Sequence, residues 1–266
     1  MLLTPGLDDA EFVLLDINRK ASDLTKAFLV KLAAEVGARA KFLSTDRQQD
    51  IAGANYVVIT ISTGWLDAMA HDLAIPEKFG IYHTVGDTSG PGGWARLIRN
   101  FDVFTGLARD INRYAPGAMV LNYTNPMSTL TDVLARLCTG PVIGLCHGLF
   151  ENIEFIKRLY GLASEDEINV SYAGLNHFFW TTRARAGRRD AIADLTRRLR
   201  TQGLTEIMRS RKDAMGFSSA REVATELFRL TGVMPYLGDR HTSEFFPWYI
   251  TSRENLRKYK LVRTTI

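Results

Sequence analysis

The sequence predicts an α/β fold, in which a doubly wound, mostly parallel sheet is followed by a second, partial α+β region. Short apolar strands alternate with amphipathic helices as far as about residue 147. Hydrophobic residues make up 46% of the 266 residues and charged residues 23%, which is the balance of an ordinary globular protein. Beyond about residue 150 the alternation ends. We therefore expect one domain at residues 1–147 and a second at residues 148–266.

Periodicity and breaker residues place the elements in chain order. The expected strands lie at residues 11–16, 41–43, 55–61, 119–122 and 142–145, and the expected helices at residues 21–36, 65–79, 94–114 and 127–137. Residues 83–93 (HTVGDTSGPGG) are so rich in glycine that we expect neither a helix nor a strand there. A helix at residues 152–159 and a strand at residues 168–173 follow. The basic residues 183–200 are expected to form the solvated face of a helix.

Composition and charge exclude several classes of protein. No run approaches the roughly 20 uninterrupted apolar residues of a membrane span, and the first residues do not resemble a secretory signal. The net charge of +4 is modest, and the arginines are not interleaved with aromatic residues as in a nucleic-acid site. The two cysteines, Cys138 and Cys146, are too few for a disulfide framework. We therefore expect a cytoplasmic protein that binds neither nucleic acid nor a membrane.

The carboxyl ends of parallel strands are where such sheets bind ligands. Asp16 ends the first predicted strand, where a dinucleotide-binding protein carries the acid that contacts the ribose; a helix cap or a turn is the alternative. The glycine-rich loop should precede that acid by about 20 residues, so we expect the first strand and its loop to be missing from this chain. Ser62 and Thr63 follow the strand at residues 55–61, where small residues admit a cofactor or simply make a turn.

Asn125 and Cys146 follow two further predicted strands. Pro126 keeps Asn125 out of the helical region, so its amide is placed to bind a sugar hydroxyl, although an Asn-Pro pair is also common in simple turns. Gly148 opens a helix two residues after Cys146, and the positive end of that helix favours the thiolate form of the cysteine. Thiolates bind borderline divalent metals well.

His177 lies in an apolar run, Gly174 to Trp180. It is either a hydrogen-bonded core histidine or a metal ligand that acts together with Cys146. A Cys-His pair leaves coordination positions open, as a catalytic metal requires if the substrate is to complete its shell. Residues 234–248 (MPYLGDRHTSEFFPW) crowd titratable groups among aromatic side chains, which indicates either a lined pocket or a solvated loop.

These motifs together resemble glycoside hydrolase family 4. The matching segments occur in the order of the family and cover most of the chain: residues 15–18, 86–93 with Arg96 and Arg99, 122–127, 144–147 and 174–177. The Gly-Asp-Thr-x-Gly-x-Gly-Gly segment and the Cys/His pair are specific. The strand-end acid and the Asn-Pro turn also occur in lactate and malate dehydrogenases.

The resemblance implies a Rossmann-like fold, NAD and Mn²⁺ (or another divalent metal) as cofactors, and hydrolysis of small glycosides. In that chemistry NAD⁺ takes a hydride from C3 of the sugar, a base removes the C2 proton, the glycosidic oxygen leaves from C1, and water adds before the hydride returns. The family is usually homodimeric or homotetrameric. The pairing of Cys with His favours the branch of α-galactosidases and of α-glucuronidases or α-galacturonidases.

The resemblance also implies roles for single residues. Cys146 and His177 would be the metal ligands, Tyr236 the base at C2, and His147 the acid that protonates the leaving group. The residues that would contact the sugar are Asn125, Arg96, Asn176 and His241, of which His241 could contact the metal instead. The residues that would bind NAD are Asp16, Asn18, Ser62, Thr63 and Asn122. A buried tyrosine titrates far above neutral pH, so a metal or another cation would have to lower the pKa of Tyr236.

Two other hypotheses stay open. A lactate- or malate-like NAD dehydrogenase would share the sheet, but it would use a catalytic histidine with an aspartate partner and no metal. The chain could also be an inactive fragment, because members of the family begin earlier and continue well beyond residue 266.

Overall fold

The computed structural model describes residues 2–208 and 220–266. The strands are β1 (Glu11–Leu15), β2 (Lys41–Thr45), β3 (Tyr56–Ile59), β4 (Met119–Asn122), β5 (Val142–Gly144), β6 (Ile168–Leu175), β7 (Phe178–Ala186), β8 (Arg189–Asp190) and β9 (Met234–Pro235). The helices are α1 (Arg19–Val36), α2 (Trp65–Glu77), α3 (Gly90–Tyr114), α4 (Met127–Leu137), α5 (Gly148–Tyr160), α6 (Ala191–Arg198), α7 (Leu204–Met208), α8 (Glu222–Thr231), α9 (Asp239–Thr242) and α10 (Arg253–Lys258).

The chain divides into two compact units. The first consists of Met1–Val57, Thr105–Val120 and Leu134–Val142, and the second of Val58–Phe104, Leu121–Val133 and Ile143–Ile266.

In the first unit, β1 and β2 pair in parallel, with Glu11 opposite Lys41 at one end and Leu15 opposite Thr45 at the other. Helix α1 crosses between the two strands. It begins where the Asn18 side chain accepts a hydrogen bond from the Ala21 N–H, and it ends at Gly37 in the left-handed conformation. This arrangement is a β-α-β unit of the predicted kind.

A second sheet has the strand order β3-β4-β5. The hydrogen bonds from Met119 N to Asn55 O and from Tyr123 N to Ile59 O advance together along both strands, as parallel pairing requires. The strands of a doubly wound dinucleotide-binding sheet lie in the order 3-2-1-4-5-6. The pair β2-β1 corresponds to strands 3 and 2 of that order, and β3-β4-β5 corresponds to strands 4, 5 and 6. The predicted α/β, Rossmann-like class is confirmed.

Residues 83–89 form neither helix nor strand, as predicted, but helix α3 begins at Gly90, so the prediction was wrong for residues 90–93. The glycines serve close packing rather than a loop. A Cβ at Gly92 would lie 2.8 Å from the Gly86 carbonyl oxygen, and a Cβ at Gly93 would lie 2.5 Å from the Thr88 carbonyl carbon. Glycine therefore lets the first turn of α3 pack directly against the preceding backbone.

The second unit carries an antiparallel sheet in which β6, β7 and β8 are consecutive neighbours and β9 also pairs with β7. The prediction that the basic segment 183–200 forms a helix face holds for α6, but it was wrong for residues 183–186, which belong to strand β7. Ala184 and Ala186 are buried there, while Arg183 and Arg185 are exposed. The core that covers this sheet is made of buried apolar residues from β7 and helices α5, α6 and α8, among them Ile156, Leu195 and Phe228.

No helix within residues 2–208 and 220–266 is both long enough and apolar enough to traverse a bilayer.

Candidate functional site

Four potential metal ligands from separate segments of the second unit converge. The Cys146 Sγ lies 3.4 Å from the His177 Nε2, so the structure brings together the two ligands that the sequence predicts. One ligand atom each of Asp87, His177 and His241 lies within 4.8 Å of the other two. Asp87 and His241 therefore lie close to His177, which is one member of the predicted Cys-His pair.

Strand ends and turns position the Cys-His pair. Cys146 lies between β5 and α5, and its Sγ accepts a hydrogen bond from the Gly148 N–H at 3.3 Å. His177 lies in the two-residue turn between β6 and β7, where Leu175 pairs with Phe178. Its φ of 59° is unusual for a residue with a side chain, and such backbone geometry clusters at functional sites.

Thr88 fixes which nitrogen of His177 carries the proton. The Thr88 hydroxyl donates its single hydrogen to the Asp87 Oδ1 at 2.7 Å, and the same oxygen lies 3.0 Å from the His177 Nδ1. Because the hydroxyl hydrogen is already used, Nδ1 must be the donor in that second contact. The lone pair of His177 is therefore on Nε2, the atom that faces Cys146. Metal-binding histidines are oriented in this way by a partner on the other ring nitrogen.

Burial and mutual charge set the protonation states of three of these groups. Burial, followed by the charge of His241, lowers the pKa of His177 to about 3. Burial likewise lowers the pKa of His241. Burial alone would raise the pKa of Asp87, but the His241 charge and the Thr88 hydrogen bond outweigh it, so that pKa lies below its usual value. At neutral pH the group therefore holds two neutral imidazoles and one carboxylate, the forms that coordinate metals.

The donor set fits a divalent metal. The His241 Nδ1 is buried without a hydrogen-bond partner and lies 3.8 Å from the Asp87 Oδ1, although buried polar atoms are normally paired. The His241 ring also stacks on the His177 ring, with 3.7 Å between their centroids. Imidazole and thiolate alone suit Zn²⁺ well, and the Asp87 carboxylate adds an oxygen ligand of the type that suits Mn²⁺.

Asn125 and Arg96 lie beside this cluster. The Asn125 Nδ2 donates to the Asp87 Oδ2 at 2.9 Å, and the Arg96 Nε donates to the Asn125 backbone oxygen at 3.1 Å. Arg96 also reaches the Ser62 hydroxyl at 3.2 Å. The structure therefore brings two of the predicted sugar-binding residues to the same place as the metal ligands.

Tyr236 is buried against the two histidines. Its ring centroid lies 5.6 Å from that of His177 and 6.4 Å from that of His241. Burial, followed by the charges of Glu151 and Cys146, raises the pKa of Tyr236 above its ordinary value. Gly238 leaves room for the hydroxyl, because a Cβ there would lie 2.5 Å from it. The phenol is thus protonated in these surroundings.

The other predicted residues of the site occupy varied environments. His147 is exposed immediately before α5, and its charge contributes to the low pKa of His177. The backbone N–H of Asn176 donates to the Ser128 hydroxyl at 3.1 Å, while the Asn176 Oδ1 is buried without a partner.

The residues predicted to bind NAD make hydrogen bonds to other groups of the protein. In the first unit, the Asp16 Oδ1 accepts from the Asn18 N–H at 2.7 Å, and both residues are exposed. In the second unit, the Thr63 hydroxyl donates to Asn100. The buried Asn122 amide bonds within the turn that leads to α4, accepting from the Thr124 N–H and donating to the Thr131 hydroxyl. Their assignment to a nucleotide stays a prediction.

No role was predicted for Asp87 or Thr88 from the sequence, which left open whether His241 contacts the metal or the substrate. The signal for Asp87 was present, since it lies in the Gly86–Gly93 segment that carries the family resemblance. What the spacing did not show is that this carboxylate faces His177 and His241.

Comparison with known families covers both parts of the chain. The model of the family 4 glycosyl hydrolases matches residues 1–162, and the model of the C-terminal domain of the same family matches residues 172–266.

Individual relatives agree with these matches. An α-galacturonidase of Bacillus subtilis (strain 168) is 36% identical over 221 residues, which are 79% of this chain and 49% of that protein. The chain spans about half the length of the curated relatives it matches. The crystal structure of LplD from Bacillus subtilis superimposes with a TM-score of 0.83 and 29% identity, covering 97% of this chain and 60% of LplD. A 6-phospho-α-glucosidase from gut microorganisms, solved with NAD and Mn²⁺, shares the fold at 20% identity and a TM-score of 0.75, over 92% of this chain and 56% of that one.

Proposed function

We propose that this chain, which belongs to the family 4 glycosyl hydrolases, is the part of an NAD- and Mn²⁺-dependent glycosidase that carries its metal site. The observation that carries the proposal is the convergence of Cys146, His177, Asp87 and His241. The chain covers about half of its relatives, so the activity of the whole protein is inferred from this site and from the family.

Each of these residues has a task in that chemistry. When it is bound by the four ligands, Mn²⁺ would act as a Lewis acid toward hydroxyl oxygens of the sugar. Asn125, held through its backbone by Arg96 and through its amide by Asp87, would hydrogen-bond the sugar close to O3. The Asn176 Oδ1, which has no hydrogen-bond partner in the protein, would accept a hydrogen bond from another hydroxyl of the sugar.

Tyr236 would remove the C2 proton. Its ring lies against His177, so a cation held by the ligands would offset the burial that raises its pKa. NAD⁺, when bound, would supply hydride transfer at C3. Asp16 directly follows β1, and its exposed carboxylate would accept hydrogen bonds from the ribose hydroxyls.

The substrate is proposed to be an α-galactoside or an α-linked uronide. The Cys146–His177 pairing favours this branch of the family, and the α-galacturonidase relative supports a uronic acid. We further propose that the full-length protein is cytoplasmic and forms a homodimer or homotetramer. The boundary between its two domains in the sequence would lie between residues 147 and 148.

The proposed function is tested by hydrolysis of p-nitrophenyl α-galacturonide and p-nitrophenyl α-galactoside with NAD⁺ and Mn²⁺ present. We expect p-nitrophenol release that stops when NAD⁺ is omitted or EDTA is added, without net accumulation of NADH. Release that persists after removal of both cofactors would contradict the proposal. A lactate- or malate-like dehydrogenase would instead accumulate NADH from a hydroxy acid and would tolerate EDTA. An inactive fragment would bind Mn²⁺ and release nothing.

His147 is proposed as the acid that protonates the leaving group, because it is exposed directly after Cys146. For His147→Ala we expect turnover of a methyl α-glycoside, whose leaving group needs a proton, to fall by about 100-fold or more. Turnover of the p-nitrophenyl glycoside should change far less, because p-nitrophenolate leaves unaided. Equal turnover of the methyl glycoside by the variant and the wild type would rule out this role.

A further inference from the structure

A second buried pair, His83 and Glu244, lies in the same unit as the metal ligands. Both side chains are fully buried, and the His83 Nδ1 lies 3.2 Å from the Glu244 Oε1. The Gly92 N–H donates to the His83 Nε2 at 3.2 Å, so that nitrogen holds a lone pair and the ring hydrogen is on Nδ1. His83 therefore donates to Glu244.

Three consecutive backbone N–H groups point at the same oxygen. The Glu244 Oε1 accepts from the N–H groups of Thr84 at 2.7 Å, Val85 at 2.7 Å and Gly86 at 2.9 Å. Successive N–H groups arranged in this way form a nest, a concavity that binds anions. Here the nest is filled by a carboxylate of the same chain. The nest ends one residue before Asp87, so Glu244 fixes the backbone from which the Asp87 carboxylate extends.

Glu244 also belongs to the segment that carries His241. It follows His241 by three residues, directly after α9. In the same segment the Arg240 Nη2 donates to the Thr84 backbone oxygen at 3.2 Å. The segment that carries Asp87 and the segment that carries His241 are far apart in sequence. Hydrogen bonds to the Glu244 carboxylate are the main contacts that hold them together.

We propose that Glu244 is a positioning residue of the metal site, which fills the nest and thereby holds the Asp87 carboxylate within reach of His177 and His241. This inference rests on the metal site of the proposed function. It adds that the geometry of the site depends on a carboxylate that is not itself among the four ligands.

The test is the affinity of the chain for Mn²⁺, measured from the electron paramagnetic resonance signal of free Mn²⁺ in a titration. In Glu244→Gln a neutral oxygen replaces the carboxylate, and hydrogen bonds to a charged acceptor are about twice as strong as neutral ones. We expect the affinity to fall by about 10- to 100-fold, as it does when a residue that orients metal ligands is replaced. The matched control is Glu226→Gln, because that carboxylate accepts from the hydroxyls of Tyr249 and Tyr259 in the same unit. Its Mn²⁺ affinity should equal that of the wild type.

A double-mutant cycle with Asp87→Ala separates positioning from a general loss of structure. If Glu244 acts through Asp87, Glu244→Gln should weaken Mn²⁺ binding in the wild-type background and leave it nearly unchanged in the Asp87→Ala background. An equal loss in both backgrounds would overturn the proposal, because Glu244 would then support the fold as a whole.

The remaining outcomes also decide the question. If the wild type binds Mn²⁺ and Glu244→Gln binds it equally well, the positioning inference is overturned while the proposed metal site stands. If the wild type binds no Mn²⁺, the site and the inference fall together. Should circular dichroism show that Glu244→Gln does not fold, His83→Gln takes its place. That variant removes the ring N–H that donates to Glu244, and the same loss of affinity is expected from it.

Discussion

Replacing His177 with alanine is expected to weaken Mn²⁺ binding by the chain by more than about 100-fold, since loss of a ligand should exceed the 10- to 100-fold lost with an outer partner. His177 is central to the cluster, because its Nε2 lies 3.4 Å from the Cys146 Sγ and its ring stacks on His241. Thr88 orients the ring so that the Nε2 lone pair faces Cys146. The measurement is a titration of the chain with Mn²⁺, followed by calorimetry.

The matched control for this substitution is His71→Ala. His71 is an exposed histidine on α2 of the same unit. Its replacement tests whether the loss of a histidine outside the cluster also lowers the affinity for Mn²⁺. We expect that variant to bind Mn²⁺ as the wild type does. Wild-type affinity in His177→Ala would show that the metal is held elsewhere.

The second large effect is expected for Tyr236→Phe, which should lower glycoside turnover by about 100- to 10,000-fold, the usual contribution of a general base. The substitution removes only the hydroxyl, so the ring still stacks on His177 and Phe179. Mn²⁺ affinity should therefore be retained. In deuterium oxide, the wild type should also exchange the C2 proton of the substrate with solvent, and the variant should not.

Tyr249→Phe is the control for that variant. The Tyr249 side chain is buried in the same unit, and its hydroxyl donates to Glu226 at 2.9 Å rather than to the site. Loss of this hydrogen bond should cost about 1 kcal/mol of stability and leave turnover unchanged. If Tyr236→Phe still catalyses exchange at C2, another group is the base.

The sequence was sufficient to predict the meeting of Cys146 and His177, because each follows a strand and the family resemblance pairs them. It could not show how Asp87 joins them. The backbone before Asp87 is shaped by Glu244, which is 160 residues away from Thr84 in sequence. A contact between residues so far apart in sequence can be seen only in the folded structure. Strand ends and helix caps, in contrast, can be recognised from a few consecutive residues.

Two local predictions failed for part of their segments, for reasons that the packing explains. The glycines of residues 83–93 were taken to exclude a helix, but α3 needs glycine at Gly92 and Gly93 to approach the Gly86 and Thr88 backbone closely. The segment 183–186 was taken as helical because it is rich in arginine. Its alternation of arginine and alanine has the period of a strand, with Ala184 and Ala186 buried in β7.

The central claim is that Cys146 binds the metal, and cobalt(II) tests it most directly. A cysteine thiolate bound to Co²⁺ produces a sulfur-to-metal charge-transfer band in the near ultraviolet. We expect Co²⁺ to produce that band in the wild type and in Cys138→Ser, since burial raises the pKa of the Cys138 thiol and makes it a poor ligand. Cys146→Ser should abolish the band. A band that survives in Cys146→Ser, or Co²⁺ binding by the wild type without one, would contradict the account.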